Sequence, residues 1–219
     1  MIITIDGPAG AGKSSAARLL ARRLGFEFLD TGAMFRAVAL AMLRGGVGLD
    51  DADRLAALLA GLCLEMAPGR VLLGGEDVTA AIRTPEVTHA SSAVAVNAAV
   101  RRRLAEMQRT LAVGRDMVCE GRDQGTVVFP DAGCKFFLTA DVEERARRRQ
   151  GEIARRGEPA ELAAIRAAIE ERDRRDADRD LAPMRPAADA ILLDTTAVSL
   201  EEVVRRMEAE VRRRMKDQG

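Results

Sequence analysis

Gly7-Pro8-Ala9-Gly10-Ala11-Gly12-Lys13-Ser14 follows a short β-branched run, residues 2–6, and leads into a stretch with apolar residues at Ala16, Leu19, Leu20 and Leu24. The β-branched run predicts a strand and the apolar spacing a helix, so the order is strand, glycine loop, helix. That context, with the pattern Gly, four residues, Gly-Lys-Ser, is the one in which a loop cradles phosphates. Glycines let successive backbone N–H groups curl inward, and a helix starting at Lys13 points its positive end at the same place. Lys13 adds a movable charge for the β- and γ-phosphates of ATP, and Ser14 a hydroxyl for the accompanying Mg²⁺. The expected ATP-binding set is Gly7, Pro8, Ala9, Gly10, Ala11, Gly12, Lys13, Ser14 and Ser15, with Ser14 as the metal ligand.

Working outward, Phe26 to Leu29 reads as a second strand and Ala33 to Leu43 as an amphipathic helix. Apolar runs at Met117 to Cys119, Lys135 to Leu138 and Ala190 to Leu193 alternate with helical stretches near 97–113, 141–154, 159–176 and 199–214. Such alternation predicts an α/β fold, a five-stranded parallel sheet flanked by helices. Between these elements, Cys63 to Met66, a Pro68-Gly69 turn, Val71 to Leu73 and Gly74-Gly75 read as an inserted antiparallel hairpin. Arginines from 147 onward lead to Gly151 and Gly157-Glu158-Pro159, which reads as a polar helix-loop-helix forming a mobile flap.

The 219 residues allow one domain with a substantial core, and no apolar run approaches a membrane span. The first six residues meet an acid too soon to form a signal peptide, so a cytoplasmic location is expected. Cys63, Cys119 and Cys134 show no metal or disulfide spacing and are expected as buried apolar thiols. His89, the sole histidine, has no partners for a zinc site or a serine-type triad. Net charge is zero and neither Trp nor Tyr occurs, which argues against nucleic acid as a partner. Lysine appears three times, at Lys13, Lys135 and Lys216, against many arginines, so the ammonium at Lys13 is a specific choice.

Two further clusters lie beyond the loop. Asp30-Thr31-Gly32-Ala33-Met34-Phe35-Arg36 follows the second strand and opens a helix, and GRDQGTVVFPDA (Gly121 to Ala132) begins at the end of a buried strand, where open α/β sheets hold ligands. With these, GEDVTAAIRTPEV (Gly75 to Val87) and ERDRRDADRD (Glu171 to Asp180), the chain resembles the bacterial cytidylate kinases over essentially its full length.

The resemblance implies a P-loop NTPase fold as a single domain, 1–219, with an inserted NMP-binding subdomain at about 32–100, a short lid at about 146–160, and a monomer. It implies ATP and CMP or dCMP as substrates, with Mg²⁺, and no membrane partner. Arg36 and Arg122 would hold the CMP phosphate, since a guanidinium fork matches phosphate oxygens. Thr31, Arg101, Asp123 and Arg179 fall where the family reads cytosine: a carboxylate suits its amino group, and arginines suit N3 and O2. Ser92, Arg172 and Asp176 align with ribose contacts, though Arg172 and Asp176 are also four apart, as in any solvated helix. Lys13 and Arg122 with Arg148 and Arg149 are the implied catalytic cations; Arg145 shares the start of the lid, and the choice among these lid arginines stays open. Glu120 stands where the family has aspartate, Thr31 where it has serine, Phe35 where it has tyrosine and Gln124 where methionine is common.

Overall fold

The computed structural model describes residues 1–155, 157 and 159–217. The expected lid, 146–160, and the Gly157-Glu158-Pro159 turn include Arg156 or Glu158, which lie outside the described residues. In chain order the elements are β1 (Ile2–Asp6), α1 (Lys13–Leu24), β2 (Glu27–Asp30), α2 (Thr31–Gly45), α3 (Ala52–Ala60), β3 (Leu64–Ala67), β4 (Arg70–Leu73) and β5 (Glu76–Asp77). They continue with α4 (Pro85–Val94), α5 (Ala98–Ala112), β6 (Met117–Glu120), β7 (Cys134–Thr139), α6 (Val142–Ala154), α7 (Leu162–Ala177), β8 (Ile191–Asp194) and α8 (Leu200–Asp217). A 3₁₀ turn covers Ala81–Arg83 and a π-helical turn Gln124–Val128.

Two compact units divide the chain: Met1–Phe28 with the described residues from Gly114 onward, and Leu29–Val113. The five-stranded sheet has the order β2-β6-β1-β7-β8, in which β1 pairs in parallel with β6 and β7, and β7 with β8. Strand alternation gives β1 two different faces. Ile3 and Ile5 join Val118, Phe136 and Leu138 in a core closed by Ala16, Ala17 and Leu20 of α1 and Val204, Met207 and Val211 of α8. Thr4 and Asp6 point the other way, and both are buried. Hydrophobic residues thus anchor one side of the strand, and its opposite side is left for polar work. A smaller apolar cluster, Ala146, Ile165 and Ile169, joins α6 to α7.

The second unit is built around α2, which buries residues on most of its circumference and contacts α3, α4, α5 and β4. Its helices begin at side-chain caps: Asp30 accepts from the Ala33 N–H, Asp51 from Arg54, Thr84 from Val87, and Asn97 from Ala99 and Val100. The inserted hairpin has three strands, because β5 adds antiparallel to β4. Cys63 corrects the expectation of three buried thiols: it is exposed, just before β3, whereas Cys119 and Cys134 are buried in the sheet. Among the described residues no helix is long and apolar enough to cross a membrane.

Candidate active site

The loop between β1 and α1 is shaped by close packing. At Gly7, φ is +135°, and a Cβ there would stand 2.0 Å from the Leu138 carbonyl oxygen, so only glycine fits between β1 and β7. Gly12 caps α1 in the left-handed conformation with no side chain closing the helix end. The first-turn N–H groups are therefore left for a ligand. Lys13 is 4 % exposed, and its Nζ donates to the Pro8 carbonyl at 2.8 Å, bending the ammonium back over the loop.

One acidic group, Glu120, meets this loop from the end of β6. Ser14 Oγ donates to Glu120 Oε2 at 2.9 Å, while Glu120 Oε1 lies 3.8 Å from Lys13 Nζ. Burial pushes the Lys13 ammonium down to about 7, and Arg122 adds to that while Glu120 opposes it; Arg172 is a weaker repulsion. Removing positive charge from water beside other cations is unfavourable, and an anion arriving there relieves it. The site is thus poised for a polyanion. The hydroxyl and carboxylate of Ser14 and Glu120 form a pair of hard oxygen donors, the kind Mg²⁺ takes alongside phosphate oxygens.

The segment after β6 carries Arg122 and Asp123. Arg122 Nε donates to Asp176 Oδ2 at 3.0 Å and its NH1 to the Gly121 carbonyl at 3.1 Å. Asp176, in the last turn of α7, also pairs with Arg179 and lies 4.0 Å from Arg172 Nε. One buried carboxylate thereby gathers three of the expected arginines. Asp123 is 4 % exposed, immediately before the π-helical turn.

Of the lid arginines, Arg145 is committed to neighbours in three segments of the chain. These are one residue of α7 and two loop residues: Nε donates to Ala140 O after β7 at 2.9 Å, NH1 to Ala9 O of the phosphate loop at 3.1 Å, and NH1 also pairs with Asp173 of α7. Arg148 bonds Glu144 Oε1 at 2.9 Å and the Thr195 hydroxyl at 3.1 Å. Thr195 Oγ1 in turn lies 3.1 Å from both Ala11 O and Thr139 O, linking Arg148 to the phosphate loop. Arg149 is exposed and pairs with Glu152 at 2.9 Å.

In the second unit, Thr31 is buried as the first residue of α2. Arg36 folds back along that helix, with NH2 3.5 Å from each Asp30 carboxylate oxygen and a buried Nε that has no hydrogen-bond partner among the described residues. Arg101 on α5 donates from NH1 to Ala95 O at 2.9 Å and stacks over the Phe35 ring at 5.7 Å. Phe35 thus supports the neighbouring guanidinium through its ring face. Ser92 is half-buried on α4.

The structure therefore brings together Lys13, Ser14 and Glu120, and gathers Arg122, Arg172 and Arg179 on Asp176, with Arg122 and Arg172 near enough to act on Lys13, all in the first unit. Thr31, Arg36, Ser92 and Arg101 belong to the second. Sequence reasoning overlooked Asp6, Asp173 and Thr195. Asp6 had one available signal, its place between the β1 apolar run and Gly7; Thr195, in a polar turn after β8, had none.

The family model for cytidylate kinase matches residues 3–213. The cytidylate kinase of Geobacter sp. (strain M21) is 49 % identical over 98 % of this chain and 94 % of its own length. That of Pelotomaculum thermopropionicum is 52 % identical over 95 % of each. A bifunctional pantoate ligase/cytidylate kinase of Synechococcus sp. (strain JA-3-3Ab) matches at 50 % over 92 % of this chain but 39 % of its own. Among solved structures, a shikimate kinase from Bacteroides thetaiotaomicron superposes with a TM-score of 0.50 at 13 % identity, covering 97 % of this chain and 98 % of its own, which is a likeness of fold.

Proposed function

The chain belongs to the cytidylate kinase family, and from that membership we infer that it transfers the γ-phosphoryl group of ATP to CMP or dCMP, releasing ADP with CDP or dCDP. The observation that carries the mechanism is the Lys13, Ser14 and Glu120 cluster at the open end of α1. We assign the triphosphate to this loop, residues Gly7 to Ser15. Ser14, with Glu120 beside it, would hold the Mg²⁺ that accompanies ATP, which would supply charge neutralisation for the phosphates.

We assign the acceptor to Thr31, Arg36, Ser92, Arg101, Arg122, Asp123, Arg172, Asp176 and Arg179, with the region about 32–100 serving as the monophosphate-binding subdomain. Arg36 and Arg122 take the phosphate, Asp123 the cytosine amino group, and Arg101 and Arg179 its acceptors. A uracil carbonyl would oppose Asp123, which sets selectivity for cytosine.

An oxygen of the CMP phosphate attacks the γ-phosphorus as the bond to the β–γ bridging oxygen breaks, and ADP departs with that electron pair. The attacking oxygen is already ionised near neutral pH, so the reaction calls for no histidine base. Lys13 and Arg122, joined by Arg148 and Arg149 from the lid region about 146–160, offset the charge on the transferred group. The reading carries with it a monomer in the cytoplasm, acting on small molecules and on no nucleic acid.

Purified protein with ATP and Mg²⁺ is to be assayed against CMP, dCMP, UMP, AMP and dTMP. CDP and dCDP are the expected dominant products. Diphosphates mainly from UMP, AMP or dTMP would overturn the assignment.

A further inference from the structure

β1 ends in a carboxylate that the phosphate loop does not use. Asp6 is 4 % exposed and lies on the face of the strand opposite Ile3 and Ile5. Its Oδ1 accepts the Gln124 N–H at 2.9 Å, and its Oδ2 accepts the Gly125 N–H at 2.8 Å. These are the first two amides of the π-helical turn Gln124–Val128, which have no partner within the turn. Three residues earlier, the Gly121 N–H donates to Ile5 O of the same strand at 3.1 Å. The backbone is thus pinned to β1 at Gly121 and again at Gln124 and Gly125, and Arg122 and Asp123 are the two residues held between the pins.

The approach is close enough to dictate composition. A Cβ on Gly125 would stand 2.8 Å from Thr4 Oγ1, 3.2 Å from Lys135 Cδ and 3.4 Å from Asp6 Oδ2. Glycine therefore lets the turn settle onto the polar face of β1, and aspartate is the residue type whose two oxygens can each accept one of two consecutive N–H groups. Asparagine would present an NH₂ donor to one of them.

We propose that Asp6 is a positioning residue for the acceptor nucleotide, its carboxylate clamping the Gln124 and Gly125 amides so that Arg122 and Asp123 are presented in a fixed register. The proposal rests on the reading that these two side chains receive CMP. A misplacement of about 1 Å at a binding group is enough to weaken its contacts by one to two orders of magnitude. Asp6 also acts on the Lys13 ammonium, but more weakly than Glu120 does, so the effect on ATP is expected to be the smaller one.

The test compares wild type with Asp6→Asn and, as a second route to the same contact, Gly125→Ala. The expected result is a KM for CMP raised about tenfold or more with the KM for ATP within about twofold, and a lower preference for CMP over UMP. In an Asp123→Ala background, Asp6→Asn should change that preference little, because Asp6 acts through Asp123. A purely structural role would instead reduce the active fraction and leave both KM values unchanged, and that outcome overturns the proposal. Hydrogen exchange on the wild-type protein gives an arm that needs neither folding of a variant nor a substrate: the Gln124 and Gly125 amides should be protected, and rapid exchange would refute the clamp. If wild type fails to phosphorylate CMP while those amides are protected and are released in Asp6→Asn, the functional reading fails and the clamp stands.

Discussion

Arg122 Nε sits 3.0 Å from Asp176 Oδ2, joining the segment after β6 to the last turn of α7 through a carboxylate that is 5 % exposed. Arg179 shares the same carboxylate, with its own side chain 9 % exposed. Asp176→Ala would leave these guanidiniums facing one another without their anion. Breaking a buried pair from one side destabilises by about 3 kcal/mol or more. We expect a loss of that order in urea denaturation without nucleotide, partly recovered when CMP brings its phosphate. A loss under about 1 kcal/mol would mean that solvent screens these cations.

Lys13 should be irreplaceable. Lys13→Ala is expected to lower kcat by about 10²- to 10³-fold, the scale for removing one preorganised charge stabiliser. Lys13→Arg should recover little, because the side chain is buried against Pro8 O and a planar guanidinium is wider than an ammonium. Steady-state kinetics with CMP check both. A kcat near wild type in Lys13→Ala would remove this lysine from charge neutralisation.

Asp6 makes stability depend on acidity in a defined direction. Burial raises its carboxyl from the usual 3.8 to about 6, against the pull of the Gly125 and Gln124 N–H groups, and the nearby Asp123 adds to the rise. The folded protein then binds this proton more tightly than the unfolded chain. The contribution is fully present below about pH 3.8 and is lost as pH rises through about 6. Relative to Asp6→Asn, the unfolding free energy of wild type should fall by about 2 to 3 kcal/mol between pH 4 and pH 7. Urea titrations at stepped pH measure it, and a difference that grows with pH would show that the two amides outweigh burial.

Thr195 is expected to matter through its hydroxyl. Thr195→Val keeps the shape but strips the group near Ala11 O and Thr139 O that also receives Arg148. The expected destabilisation is about 1 to 3 kcal/mol, with Thr195→Ser recovering most of it. A loss in the serine variant with little in the valine variant would point to the methyl group as the source.

How much of this could be read beforehand depended on where the interacting partner lay. The strand, glycine loop and helix around Gly7 to Ser15 were legible because they are written in contiguous residues, and the sheet because buried parallel strands are apolar runs. β5 was hidden, since Glu76 and Asp77 are exposed and polar and join β4 by backbone alone. α3 and α4 are short, and α4 is rich in Ser, Thr and Val, which lowers the helical signal. Asp6 was unreadable as a clamp because its partners are amide groups 118 and 119 positions away, and an N–H has no letter in the sequence. Asp176 could be read as a helix-surface partner of Arg172, but only the folded chain shows that it collects Arg122 and Arg179 as well.

The unequal exposure of the three thiols has a practical side. Cys119 and Cys134 are enclosed in the sheet, and burial raises both thiols, Cys134 to about 11, so neither offers thiolate near neutral pH. Cys63 stands in solvent in the Leu29–Val113 unit. A maleimide dye should therefore attach to the unaltered protein at one place, giving an optical reporter for that unit during nucleotide titrations without any engineered cysteine.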